Sequence, residues 1–394
     1  MSNDKELQGI ACSRMASPRT SSIKGVWQQL SWLDRLLSPL ILLAMILGTI
    51  LSEFTPQVRQ ALNVAHFNGV SVPIVIGLVV MMWPVLTKVQ YEKLPALFSS
   101  SKIWVQIGIS VALNWIVGPF VMLGLAWATL PDLPTYRTGV IMVGIARCIA
   151  MVMIWNTIAK GHVEYCAILV VFNAVLQIAL YSPYAVWFIN VIGRQDGGIK
   201  ISYGDVAISV LIYLGIPLVA GVVTRYSIWL IAGKRFLVET FVPYFSPVAL
   251  LGLLYTIIVL FAYQGHEMLH HIGPVFRVFV PLVLYFIVMW SSAFALMYYL
   301  NQKERKKGSE AFDYEIAVSQ AFTAASNNFE LAIAVAIAVY GVDSQQALAA
   351  TVGPLVEVPV LLALTWVALL CKDRLGWQRL NEDTEKDGGD ECQK

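Results

Sequence analysis

The sequence predicts an all-α protein embedded in a membrane, on three grounds. Hydrophobic residues fill 58% of the 394 positions and charged residues only 13%, where a soluble domain carries about a quarter charged residues. The apolar residues gather into ten runs, most of them close to the ~20 residues a helix needs to cross the hydrocarbon. Inside a bilayer every backbone N–H and C=O has to find its partner within the chain, which leaves helix as the form these runs take.

Positions 1–35 form a polar N-terminal tail with no apolar stretch of signal-peptide type, so the first run is expected to stay as an anchor. The runs of the first half lie near 37–54, 70–87, 103–130, 137–159 and 164–190. A short connection at 191–203 separates them from five more, near 205–224, 242–263, 274–300, 315–340 and 346–370. The chain thus divides into a five-helix repeat at 36–190 and a second at 204–371, and an odd number of spans per half inverts one relative to the other. Inverted repeats of this kind hold their substrate near the midplane, where discontinuous helices of the two halves meet. Residues 372–394 form a second tail, acidic and Gly-containing from Asn381 onward, which is expected to be disordered.

Lys and Arg residues set the orientation, because cytoplasmic connections retain them. With ten spans and both termini cytoplasmic, 21 basic residues fall inside and 5 outside, while Arg147 is left at membrane depth. Removing or adding one span would carry the 301–310 stretch, with Lys303, Arg305, Lys306 and Lys307, to the wrong side.

Several function classes fall away. A net charge of +2, with basic residues dispersed over short connections, gives no surface for nucleic acid. The sequence has no nucleophile-and-base arrangement, metal box or nucleotide loop, so no enzyme and no cofactor are expected. Cys12, Cys148, Cys166, Cys371 and Cys392 lack paired spacing and read as free thiols. His266, His270 and His271 cluster after the seventh run, where solvent exposure is the simpler expectation than a metal. Trp127 and Trp155, near run ends, are expected to anchor at the membrane interface.

The polar residues inside apolar runs carry the function. Arg147 lies about ten residues from either end of the fourth run, and a charge at that depth needs a polar cavity or an opposite charge. In the ninth run Ser326, Asn327, Asn328 and Glu330 follow one another closely. Ser and Asn compete with the helix for backbone hydrogen bonds, which points to local unwinding. Glu357 lies between Pro354 and Pro359 in the tenth run, where neither proline can donate its ladder bond, so a kink at the carboxylate is expected. One of the two acids would neutralise Arg147 while the other, moving between a dry and an arginine-lined setting, loads and releases a proton. Cys148, beside Arg147, is expected to offer a thiolate selective for thiophilic solutes. Asn114, near Gly118, and Asn173, near Gln177, would hydrogen-bond a small hydroxylated solute or join helices.

The runs G-I-A-R-C-I-A-M-V-M-I-W-N from Gly144, A-S-N-N-F-E-L-A-I-A from Ala325 and A-T-V-G-P-L-V-E-V-P from Ala350 resemble the arsenite efflux permeases of the arsenical-resistance-3 family. Supporting stretches begin at Val70 and Asn114, and the likeness runs from about Ser31 to Ala368. It implies a ten-span fold similar to the bile acid sodium symporters, with crossed broken helices four and nine, and export of arsenite at the plasma membrane in exchange for protons. The tail is similar to those of fungal members, which also export some antimonite. The resemblance makes Cys148 the arsenic(III) ligand, with Arg147, Asn114, Asn173, Asn328 and Ser326 as further substrate-binding positions and Glu330 and Glu357 as proton-coupling ones. Arsenite, protons and the bilayer are then the expected partners. Two other readings are sodium-coupled uptake of an organic anion and a ligand sensor that moves nothing.

Overall fold

A computed structural model describes residues 32–55, 57–58, 62, 65–67, 70–93, 101–193, 201–270, 272–305, 312–375 and 377. The chain divides into two compact units, Met1–Leu37 and Ser38–Lys394. Of the first, only the opening of one helix is described; the second holds everything else. The expected disordered tail from Asn381, Cys12 and Cys392, and His271 lie outside the described residues.

The first helix, α1 (Trp32–Phe54), leads to a two-stranded hairpin, β1 (His66–Phe67) with β2 (Val70–Ser71), and then to α2 (Val72–Lys88) and a single 3₁₀ turn at Tyr91–Lys93. α3 (Ser101–Val111) widens into a π-helical stretch at Ala112–Val117 and continues as α4 (Gly118–Thr129). α5 (Pro134–Ile145) and α6 (Met151–Ile158) are two parts of one broken helix, followed by α7 (Val163–Val186). The second half comprises α8 (Tyr203–Val210), α9 (Ile216–Phe236), α10 (Val242–His270) and α11 (Ile272–Arg305). A second broken helix follows as α12 (Tyr314–Ala325) and α13 (Phe329–Tyr340), then α14 (Gln345–Thr351) and α15 (Gly353–Arg374). The protein is all-α apart from the hairpin.

Among the described residues, five helical stretches are long and apolar enough to cross a membrane, and three shorter apolar helices accompany them. The longest of the five, Tyr203–His270, runs for 68 residues, more than twice what one crossing needs. Connectivity here departs from expectation. The sequence suggests a loop between the sixth and seventh runs at 225–241, whereas helix persists there, broken only at Gly233, whose φ of 84° and ψ of 160° only glycine adopts at little cost. Arg235 pairs with Glu239 one turn on, at 2.9 Å, an exposed contact that adds a few tenths of a kcal/mol to the helix.

Burial separates two kinds of helix. α1, α2, α9 and α10 expose large apolar side chains such as Leu43, Ile76, Val219, Leu230 and Leu251, the surface expected of a multi-pass protein facing lipid. α5, α13 and α14 are buried on nearly every side, from Phe329 through Ile337 without interruption in α13. A helix that is apolar all round belongs in a core. α9 and α10 pack on α2, while α14 packs on α5 and α13, and α11 packs on α12 and α15. Four alanines, at every second position from Ala332 to Ala338, let neighbours approach α13 closely.

Trp155 departs from the interface position expected of it. It is 1% exposed, because α6 is enclosed by α7, α12 and α15. Trp127 is half-buried, with the Arg137 guanidinium 3.8 Å above its ring. Arg225 and Arg137 are both buried inside helices. Arg225 grips Glu92 with two hydrogen bonds of 2.6 and 2.9 Å and donates to the Thr87 carbonyl at 3.1 Å, tying α9 to the end of α2.

Candidate functional site

The two broken helices cross where both are unwound. Residues 146–150 leave helix between α5 and α6, and 326–328 do so between α12 and α13. The extended pieces pair antiparallel at Arg147 and Asn327. Cys148 N–H donates to Ser326 O at 3.4 Å, and Asn328 N–H donates to Ala146 O at 3.2 Å. Four helix ends meet there, with N–H and C=O groups that their own helices cannot satisfy.

Side chains complete the accounting. Asn327 Nδ2 donates to both Val143 O and Ala146 O at 3.0 Å, closing the C-terminal end of α5. Asn328 Oδ1 accepts from Leu331 N–H at 3.0 Å and caps the start of α13. Gln177 of α7 accepts from the Arg147 backbone N–H. Asn327 and Gln177 are the residues that reading the sequence passed over as site members; an amide in an apolar run was the available signal for both.

Cys148 lies at the crossing, 2% exposed. Its Sγ accepts from Val152 N–H at 3.3 Å in the first turn of α6, and its electrostatic neighbours are Glu357, Ser326 and Glu330. Ser326 Oγ donates to Glu357 Oε1 at 2.5 Å, so a carboxylate from α15 reaches into the crossing. The Asn327 backbone N–H also faces Glu357. The thiol, the hydroxyl and both carboxyls therefore share one buried neighbourhood.

Arg147 is arranged differently from expectation. Its guanidinium donates to Tyr285 Oη at 2.8 Å and to the Gly144 carbonyl. Among the described residues no carboxylate lies within ion-pair reach of it, and neither Glu330 nor Glu357 neutralises it. The physical reason is direction: the unwound strand points Arg147 and Cys148 to opposite sides, Arg147 toward α4 and α11, Cys148 toward the acids. Gly118 makes room, since a Cβ there would come within 2.8 Å of Arg147 Nη1 and 3.0 Å of Tyr285 Oη. Tyr285, in the middle of α11, carried no sequence signal, because a tyrosine in an apolar run reads as packing.

Helix runs unbroken through Glu357 and Pro359, where the sequence suggests a kink, and the interruption nearest to the carboxylate is a single residue, Val352. Helix stops at Thr351 and restarts at Gly353, with Pro354 in the first turn of α15, where its missing N–H costs nothing. Phe329 of α13 packs against Gly353.

Asn114 and Asn173 stand one layer out. Asn114 Nδ2 turns back to Ser110 O at 2.9 Å within its own helix. Asn173 Oδ1 accepts from Trp115 Nε1 at 3.0 Å, joining α7 to the π-helical stretch. Asn173 lies one turn from Gln177, and Asn114 one turn from Gly118, so both are anchored beside residues that touch Arg147. Among the described residues, six buried polar atoms in and beside the crossing lack a hydrogen-bond partner: Asn114 Oδ1, Arg147 Nε, Asn173 Nδ2, Gln177 Nε2, Asn327 Oδ1 and Asn328 Nδ2. Buried groups left so are uncommon, and a set gathered around one crossing is what a small, many-hydroxylated solute would satisfy.

A second polar layer ties the outer arms. Asn156 Oδ1 accepts from Ser319 Oγ at 2.8 Å, and Gln320 Nε2 donates to Gln106 O at 2.8 Å and to Tyr165 Oη at 2.5 Å. Cys166, buried without acids near it, and Cys371 are free thiols, as is Cys148.

The sodium bile acid symporter family matches this chain over residues 75–271. The arsenical-resistance protein Acr3 of Corynebacterium glutamicum is 40% identical over 345 residues, 86% of this chain and 90% of its own. Acr3 of Alkaliphilus metalliredigens is 28% identical over 355 residues, 86% and 93% of the two chains. An uncharacterised transporter of Synechocystis is 30% identical over 367 residues, 88% and 90%.

Proposed function

Because this chain belongs to the sodium bile acid symporter family, in its Acr3 arsenical-resistance branch, we propose that it exports arsenite from the cytosol in exchange for protons. The observation that supports this reading best is the single Cys148 thiol, held at the crossing beside Ser326, Glu357 and Glu330. Arsenite near neutral pH is the uncharged trihydroxide. Cys148 sulfur takes the place of one hydroxyl on arsenic, and the thiol proton leaves with that hydroxyl as water; attack of water on the As–S bond reverses the step. The remaining two hydroxyls find partners on the side that Cys148 faces, among Ser326, Glu357 and Glu330. One thiol suits a carrier, which has to release its cargo; three would hold it.

Glu357 and Glu330 are the proton carriers in this proposal. A proton on Glu357 removes the negative charge that Ser326 Oγ and the Asn327 N–H face and weakens both contacts, coupling proton load to the position of 326–328 and so to the crossing itself. Arg147 serves as a fixed positive charge that holds α4, α5 and α11 together. The halves 36–190 and 204–371 act as inverted repeats of five spans, with Tyr203–His270 counted as two. Both termini face the cytosol at the plasma membrane, on the strength of the 21-to-5 basic asymmetry.

Arsenite uptake into inside-out vesicles, with pH, sodium and voltage gradients imposed separately, tests the reading. Accumulation driven by an acidic interior, lost in Cys148→Ala, is expected. Uptake that requires sodium and ignores the pH gradient would instead establish a sodium-coupled carrier.

A further inference from the structure

Away from the crossing, α1 and α10 bring three ligand-type side chains to one point. Glu53 lies one residue before the end of α1, and His266 and His270 lie at the end of α10. A spacing of four puts two histidines on the same face of a helix, one turn apart. Their ring centroids are 4.0 Å apart, and Glu53 Oε2 is 2.9 Å from His266 Nδ1. One donor atom from each of the three residues lies within 4.8 Å of the other two. Backbone sets the register, since His266 N–H donates to Ser52 Oγ at 3.0 Å.

The tautomer at His270 follows from its partner. His270 Nδ1 is 2.9 Å from the His266 carbonyl, and a carbonyl oxygen only accepts. Nδ1 therefore carries the proton and Nε2 keeps its lone pair. Metal-bound imidazoles are oriented by an outer hydrogen bond of this kind.

We propose that Glu53, His266 and His270 form a binding site for a divalent transition-metal ion, zinc being the natural probe, that ties the end of α1 to the end of α10. Two imidazoles and one carboxylate favour zinc, nickel or copper over magnesium or calcium, which take oxygen. Zinc–ligand bonds of about 2.0–2.2 Å put neighbouring ligand atoms about 3.3–3.6 Å apart in a tetrahedron. Reaching that from the observed spacing takes only side-chain rotation, and Glu53 and His270 are exposed with His266 half-buried. Solvent supplies both the entry path and the fourth ligand.

The run His266-Glu267-Met268-Leu269-His270 also has the H-E-x-x-H spacing of zinc peptidases, in which the glutamate is the general base. Here the charge of Glu267 bears on Tyr136 of α5, and the third ligand comes from another helix. The site is assigned to binding, with no hydrolytic step.

Calorimetric titration of the full-length protein in detergent with zinc chloride is the test. Wild type is expected to bind one more zinc per chain than His270→Ala or Glu53→Gln, and zinc is expected to raise the thermal midpoint of wild type alone. Because residue 270 is exposed, the variants should melt like wild type without zinc, which separates lost binding from lost folding. Cobalt(II) bound at this site should show tetrahedral d–d bands without thiolate charge transfer. Equal zinc stoichiometry and affinity in wild type and in the His266→Ala/His270→Ala double variant would overturn the proposal, as would a thiolate cobalt spectrum that persists in that variant.

Discussion

Asn327 shows how much one amide does at the crossing. Its NH₂ group gives the carbonyls of Val143 and Ala146 a second partner each at the end of α5. Asn327→Ala removes one of two bonds at each carbonyl, since Val143 O keeps the Ala146 N–H and Ala146 O keeps the Asn328 N–H, and is expected to cost about 0.5–1.5 kcal/mol per lost bond, read as a lower midpoint of thermal unfolding in detergent. Asn327→Asp should fare no better, because a carboxylate has no N–H to donate. Cys148 and Cys166 make a second contrast. Both are buried thiols, but only Cys148 has Ser326, Glu357 and Glu330 around it. Cys148→Ser is expected to lower arsenite accumulation in vesicles by at least about tenfold, roughly the effect of about 1.4 kcal/mol on the barrier, while Cys166→Ala stays within about twofold. In the sequence Arg147 and Cys148 read as a pair, with the guanidinium acting on the thiol. The structure turns them to opposite sides, a consequence of extended backbone that helical spacing cannot anticipate.

At the level of elements, two joints carry separable costs. Gly233 interrupts α9 at φ 84° with nothing within 4 Å of the place a Cβ would occupy. Gly233→Ala therefore adds backbone strain and no clash, and a loss of about 1–3 kcal/mol is expected, measured by thermal unfolding against an alanine substitution at a regular helical position. The Glu92–Arg225 pair ties α2 to α9. Burial pushes the Glu92 carboxyl up, but the hydrogen bonds and charge of Arg225 outweigh it and hold the carboxyl below its usual range. A depressed carboxyl contributes stability above its unfolded pKa, near about 4.3, and loses it as pH falls through the folded value. Glu92→Gln should therefore melt below wild type at pH 7, with the gap closing toward acid pH. Equal gaps at pH 7 and in strong acid would show that the charge is not what matters. Arg225, followed by Lys234 and Arg235, ends the apolar run near 224, so the sequence suggests a loop at 225–241. Hydropathy marks where lipid contact stops, and helix can continue beyond it, as it does through the Arg235–Glu239 pair.

For the whole molecule, the crossing makes the two halves mutually dependent. Carbonyls of 143 and 146 are satisfied by Asn327 and Asn328 from the second half, and the 326 carbonyl accepts from Cys148 of the first. Residues 1–193 expressed alone should therefore lack arsenite transport, and co-expression with 201–394 should restore it, with both pieces recovered as one complex. Transport by either piece alone would mean that a site forms within one half. Sequence by itself determined that this is an all-α membrane protein, that its ninth apolar run is interrupted, and that Arg147, Cys148, Ser326, Asn328, Glu330 and Glu357 are the polar residues to watch. Those conclusions follow from composition and from the cost of polar groups in hydrocarbon, which are local properties of the chain. Only the tertiary structure decided who meets whom: Glu357 on Ser326, Arg147 on Tyr285, Asn327 across to Val143, Trp155 enclosed. These contacts join residues 31 to 184 positions apart, and such partnerships are set by how two unwound segments cross, a matter of three-dimensional direction that one-dimensional spacing does not encode.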